Sequence, residues 1–111
     1  MEINIKKLDH LKIISLTGEL NAITSAEVES KILQLIMGGN KKLIIDLEQL
    51  SYISSAGLRI FLVSNKLIRK MEGEIRICCL NHTVKEVFEI SGFNMIFKVF
   101  PDQASAIESF K

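Results

Sequence analysis

Three observations predict an α/β domain with a mixed, mostly parallel sheet of about five strands and about four helices. Strand-like and helix-like segments alternate from residue 24 onward. The chain opens on two strand-like segments joined by a short turn. A later segment, "KKLIIDL", carries an unbroken apolar centre, and "EIRICCL" reads as a further central-type strand. Strands alternating with helices imply right-handed crossovers and a parallel sheet with helices packed on it. An unbroken apolar run suits an inner strand covered on both faces, and the opening hairpin makes the sheet mixed.

Each element has its own signal. "EINIKKL" alternates like an edge strand, "DH" is turn-like, and "LKIISLTG" returns as the second arm, closed by Gly18. "TSAEVESKILQLIMGGN" reads as a helix, with Thr24 and Glu27 spaced as a capping box. Val28, Ile32, Leu35 and Ile36 share one face of it, and "GGN" stops it. "KKLIIDL" is an inner strand, and "EQLSY" links it to a stretch whose Tyr52 and Ile53 end a strand-like segment. A second helix is predicted from about Ser55 to Met71, broken by Gly73. "EIRICCL" is another inner strand. "HTVKEVFEISGF" is a short helix with Val84, Val87 and Phe88 inward and Gly92 at its end. "MIFKVF" is a last strand, and Asp102 caps a terminal helix.

The chain has 111 residues, 48% of them hydrophobic, which suits one domain over 1–111 with a core of its own. Fourteen basic against thirteen acidic residues give a net charge of +1, which argues against a nucleic-acid binder acting through a basic field. No stretch is long and apolar enough to suggest a membrane span, and the charged N-terminus is unlike a signal peptide. The adjacent cysteines Cys78 and Cys79 should point to opposite faces of a strand. They then read as two small buried side chains in a reducing cytoplasm, with no metal and no disulfide.

The stretch "SYISSAGLRI", residues 51–60, places two hydroxyls and a glycine where a strand gives way to a helix. Ser54 or Ser55 can cap the helix by accepting a bond from a free amide of the first turn. The doubled serine and Gly57 go further. Glycine in a first turn costs about 1 kcal/mol of helix propensity and leaves the backbone bare to an approaching molecule. Free amides and the helix dipole favour negative charge at that end. A phosphate there would add nearly two charges and act mainly on whatever docks against it.

In this order, "LTGELNAITSAEVESKI", "LIIDLEQLSYISSAGLRIFL" and "VKEVFEISGFNMIFKVF" resemble bacterial anti-sigma-factor antagonists, the single-domain members of the STAS family. The resemblance covers nearly the whole chain and implies a STAS-like fold. It also implies a partner-switching role in transcription regulation. Such a protein binds a serine-kinase anti-sigma factor and frees a sigma factor. The kinase uses ATP to phosphorylate a serine at the start of the second helix, which releases the kinase, and a serine phosphatase reverses the mark. Carried over, the phosphorylation site is Ser55, two positions before Gly57, with Ser54 the second candidate. The implied partner surface comprises Asn21, Ser54, Ser55, Ala56, Gly57, Arg59, Ile60 and Val63.

Three positions depart from the family pattern. Ser54 stands where aspartate usually precedes the acceptor, Asn21 where an acidic residue often follows "GEL", and Arg59 where glycine is frequent. Arg59 lies four residues after Ser55, on the same helix face, within reach of a phosphate there. The second helix also shows two apolar stripes. Leu58, Phe61, Leu62 and Ile68 should lie on the sheet. Ala56, Ile60, Val63 and Leu67 then face either a neighbouring helix or a partner.

Nothing in the chain assembles a catalytic site. Two scattered histidines, His10 and His82, lack metal-ligand spacing, no phosphate-binding glycine loop is present, and the carboxylates of Asp46 and Glu48 suit a loop cap. The chain therefore reads as a cytoplasmic, non-enzymatic binding protein without cofactor. An edge strand and the second stripe would allow a weak homodimer. The rival is a STAS subunit of a transport complex or signalling scaffold, in which the same helix end docks another partner.

Overall fold

The computed structural model describes all 111 residues. β1 (Glu2–Leu8) and β2 (Leu11–Leu20) form an antiparallel hairpin, turned through Asp9 at φ 54° and His10. The chain continues through α1 (Ser25–Met37), β3 (Lys42–Asp46), β4 (Leu50–Ile53), α2 (Ser55–Lys70) and β5 (Glu74–Cys78). It ends with α3 (His82–Ser91), a 3-10 turn (Phe93–Met95), β6 (Lys98–Phe100) and α4 (Gln103–Glu108). The sheet order is β1-β2-β3-β5-β6, with every pair after the hairpin parallel.

The fold class expected from the sequence is the fold observed, with one strand more. β4 pairs in parallel with the last residues of β2, Gly18 opposite Leu50 and Leu20 opposite Ile53. The strand-like end at Tyr52 and Ile53 is part of this strand, which four residues are too short to mark as a separate member of the sheet. Gly18 does not end β2. It carries a bulge at φ 112°, where side-chain-bearing residues are strained, and the bend lets one strand serve β3 and then β4.

Sheet alternation sorts the apolar residues into two cores. Ile14, Leu16, Leu43, Ile45, Ile75 and Ile77 face α1, α2 and α3, whose Val28, Ile32, Ile60, Phe61, Ile68, Val84 and Phe88 close that layer. Leu11, Ile13, Ile44 and Cys78 form a smaller core on the other face, under Ala106 of α4. This accounts for the unbroken apolar run of β3 and for the burial of both faces of β5, where Arg76 interrupts the apolar residues. No helix is long and apolar enough to cross a membrane.

The start of α1 departs from the predicted capping box. Thr24 already has helical backbone angles, and its hydroxyl makes no cap bond. It donates instead to the Glu19 carbonyl at 2.8 Å. The side chain of Asn21 serves this turn, accepting from the amides of Ile23 at 2.9 Å and Thr24 at 3.1 Å. α3 and α4 start more simply: Asn81 accepts from the Val84 amide and Asp102 from the Ser105 amide.

Candidate functional site

The junction of β4 and α2 divides the two serines between two jobs. Ser54 is extended (φ −96°, ψ 175°), and its side-chain oxygen accepts from the Gly57 amide at 3.3 Å. Its carbonyl accepts from the Leu58 amide, and its own amide donates to Leu20 at 2.9 Å. Ser54 is thus the cap, tied to the end of β2. Ser55 is the first residue of α2 and is exposed, so its hydroxyl sits at the positive end of a 16-residue helix. Replacing Ser54 by alanine should cost about 1 kcal/mol, whereas aspartate, an equally good cap, should be near neutral. A thermal melt separates the two outcomes, since 1 kcal/mol moves the midpoint by several degrees in a domain of about this size.

The bond from Ser54 to Leu20 brings Asn21, half-buried, beside this helix start. Ala56 is half-buried, while Arg59 and Val63 are exposed along the turns that follow Ser55. Two of the predicted surface residues are elsewhere. Gly57 is buried, and a Cβ there would stand 2.8 Å from Leu20 Cγ and 2.9 Å from Ile53 Cγ1. The close approach for which the glycine is needed is to its own chain. Ile60 is 5% exposed and belongs to the main core with Val28 and Ile32 of α1, so it faces a neighbouring helix and no partner.

The covered face of α2 consists of Gly57, Ile60, Phe61, Ser64 and Ile68, which leaves Leu62 exposed although the sequence placed it on the sheet. Ser64 is fully buried, its hydroxyl satisfied by the Ile60 carbonyl at 2.7 Å. Leu62 and Val63, each about two-fifths exposed, lie about two turns along α2 on the side that carries Ser55, and Ile23 is exposed in the loop before α1. Leu62 and Ile23 were absent from the sequence-derived surface. The signal for Leu62 was its helical phase relative to Gly57 and Ser64. Ile23 lies in a loop, where no periodicity points to it.

Comparison with known proteins agrees with this architecture. The STAS domain family matches residues 2–106. The chain belongs to the STAS domain family. Among its relatives is BtrV of Bordetella bronchiseptica, provisionally assigned as an anti-sigma factor antagonist. It is 38% identical over 111 residues, which span all of this chain and 96% of that protein. The anti-sigma F factor antagonist of Paenibacillus polymyxa is 28% identical over 96 residues, covering 86% of this chain and 82% of its own. Among solved structures, the Bacillus cell fate determinant SpoIIAA in its phosphorylated form superposes with a TM-score of 0.78. The match covers 99% of this chain and 100% of that one at 21% identity.

Elsewhere in this STAS domain several ionisable groups have structural partners. Asp46 is buried, with Oδ1 accepting from the Glu48 amide at 2.9 Å and Oδ2 from the Gln103 side chain, which is the loop-capping role expected of it. Arg76, 9% exposed, pairs with Glu74 at 2.6 Å, donates to the Ser109 carbonyl and stacks on Phe110. His10 lies in the hairpin turn, and His82 pairs with Glu86 on the surface of α3.

The cysteines contradict the sequence expectation. Cys78 ends β5, but Cys79 turns out of the strand at φ 67°, so the two sulfurs meet at 3.1 Å on one side of the sheet. Burial pushes both thiols above their ordinary range, and the neighbouring Asp46 charge adds to this. Asp46 Oδ and the two sulfurs lie within 4.8 Å of one another, a donor set that could hold a metal ion.

Proposed function

We propose that this STAS domain is an anti-sigma factor antagonist. In this reading it binds a serine-kinase anti-sigma factor through the surface around the start of α2, and phosphorylation of Ser55 by that kinase releases it. A serine phosphatase would reset it. The observation that carries this reading is the division of labour between the serines. Ser54 holds the helix end together, and the exposed Ser55 hydroxyl is left for chemistry. Ser54 thus stands second as acceptor. The names of full-length relatives and a phosphorylated structural neighbour support the reading.

The docking surface comprises Asn21, Ser54, Ser55, Ala56, Arg59 and Val63, joined by Leu62 and Ile23. It pairs a small apolar patch with a site whose charge can change by nearly two units. A phosphate there gains the open amides and dipole of α2, so the fold tolerates it. A partner that buries the same spot without a matching cation does not, because like or unpaired charge across an interface costs several kcal/mol. Burial of Ile60 narrows the second apolar stripe as a reason for a homodimer, and Lys6 and Lys7 on β1 blunt edge pairing.

Ser55→Asp should weaken capture of the kinase about 100-fold or more. Its stability should stay within about 0.5 kcal/mol of wild type, because acid in the first turn of a helix is favourable. The test is affinity capture from the native cell with both forms, followed by identification of the retained protein and mapping of phosphate on the wild-type chain. An ATP-dependent serine kinase held only by wild type, with phosphate on Ser55, is expected. Equal retention, or phosphate elsewhere, would overturn the reading. Arg59 should then clasp the phosphate, so Arg59→Ala should raise the second phosphate pKa in a phosphorus NMR titration. Identical titrations would remove Arg59 from the switch.

A further inference from the structure

The second core contains a feature that partner switching does not use. Strand alternation would send Cys79 away from Cys78. Instead Cys79 adopts φ 67°, at a cost of about 1–2 kcal/mol for a side-chain-bearing residue, and brings its sulfur to 3.1 Å from that of Cys78. Asp46 stands opposite Cys78 in the parallel β3–β5 register, so its carboxylate emerges on the same face. The Glu48 amide and the Gln103 side chain hold that carboxylate in place, one on each oxygen. Each oxygen keeps a second lone pair.

We propose that Cys78, Cys79 and Asp46 form a binding site for one thiophilic divalent cation of the zinc and cadmium class. Two sulfurs select such ions over magnesium or calcium, and three protein donors leave a fourth position for water. The carboxylate bonds to Glu48 and Gln103 act as the outer support that orients a ligand.

The geometry needs little adjustment. Tetrahedral coordination with metal–sulfur bonds of about 2.3 Å places two sulfurs about 3.8 Å apart. The pair must therefore open by about 0.7 Å, within reach of a rotation at the half-buried Cys79. The sulfur–oxygen separations are within 4.8 Å, against about 3.6 Å in the coordinated state. Asp46 is a negative neighbour of both sulfurs, with Asp102 adding to it at Cys78 and Glu48 at Cys79. A cation relieves that excess. Binding displaces one proton from each thiol to solvent, so each cation releases two protons and no electrons are exchanged. A Cys78–Cys79 disulfide fits less well, because its formation needs a two-electron oxidant and it gives Asp46 no role.

The test uses the full reduced chain titrated with Cd2+, read by thiolate-to-cadmium charge-transfer absorbance. Saturation at one Cd2+ per chain is expected, with two protons released and a raised thermal midpoint. Cys79→Ser, at the less buried cysteine, should keep its melting curve in the absence of metal and lose the absorbance. Asp46→Asn should weaken binding at least tenfold while leaving the charge transfer visible at higher Cd2+. Three results would each overturn the proposal. They are no charge-transfer band on the folded chain, a Cys79→Ser titration matching wild type, and equal affinity for the urea-unfolded chain.

Discussion

Ile60→Asp is expected to unfold the domain. The side chain is 5% exposed and packs within the cluster that joins α1 and α2 to the sheet. Truncating such a residue costs about 2–5 kcal/mol through lost burial and the cavity left behind. A carboxylate in its place adds the cost of burying a charge without a partner. Against a total stability of about 5–15 kcal/mol for a domain of ordinary size, that sum consumes most of the margin. Circular dichroism and urea denaturation measure it, and Ile60→Val serves as the mild companion at about 1 kcal/mol. A folded Ile60→Asp melting within a few degrees of wild type, with docking alone impaired, would return Ile60 to the partner surface.

Gly57→Ala should destabilise the domain, although alanine is the better helix former by about 1 kcal/mol. The new Cβ would stand 2.8 Å from Leu20 Cγ, 2.9 Å from Ile53 Cγ1 and 3.0 Å from Leu20 Cδ2. These are buried core atoms at the ends of β2 and β4, and overpacking of this kind costs about 1–3 kcal/mol. The clash therefore matches or outweighs the propensity gain, for a net loss of up to about 2 kcal/mol. Urea denaturation gives the value. Leu20→Ala frees the space, so the double variant Leu20→Ala/Gly57→Ala should lose less than the two single changes combined. Strict additivity would mean that the glycine is not there to admit Leu20. Because Ser54 is bonded to Leu20, the same clash should displace Ser55 and weaken partner capture beyond the stability effect.

Much of the fold and the core of the candidate site were legible in the residues. The alternation of strands and helices, the opening hairpin and the two inner strands all lie in patterns only a few residues long, and the structure repeats them. The start of α2 was legible for the same reason, since capping chemistry is decided within four residues. The phase of α2 was not. Its covered face runs through Gly57 and Ser64, which carry no apolar signal, so Leu62 appeared to belong inside, and Ile60 lay on a stripe open to either a neighbouring helix or a partner. The strand-like end at Tyr52 and Ile53 was legible, but not its place as a separate strand of the sheet, because its partner lies some thirty residues away in β2.

By itself the sequence determined the α/β class, the family resemblance and the serine pair at a helix start, because these depend on neighbours along the chain. The tertiary structure alone decided that Gly57 and Ile60 are interior, that Leu62 is at the surface, and that Cys79 turns back toward Cys78 and Asp46. The reason is physical. A residue's periodicity says which others share its side of an element, but only the packing of α1, α4 and the adjoining strands says which side is covered.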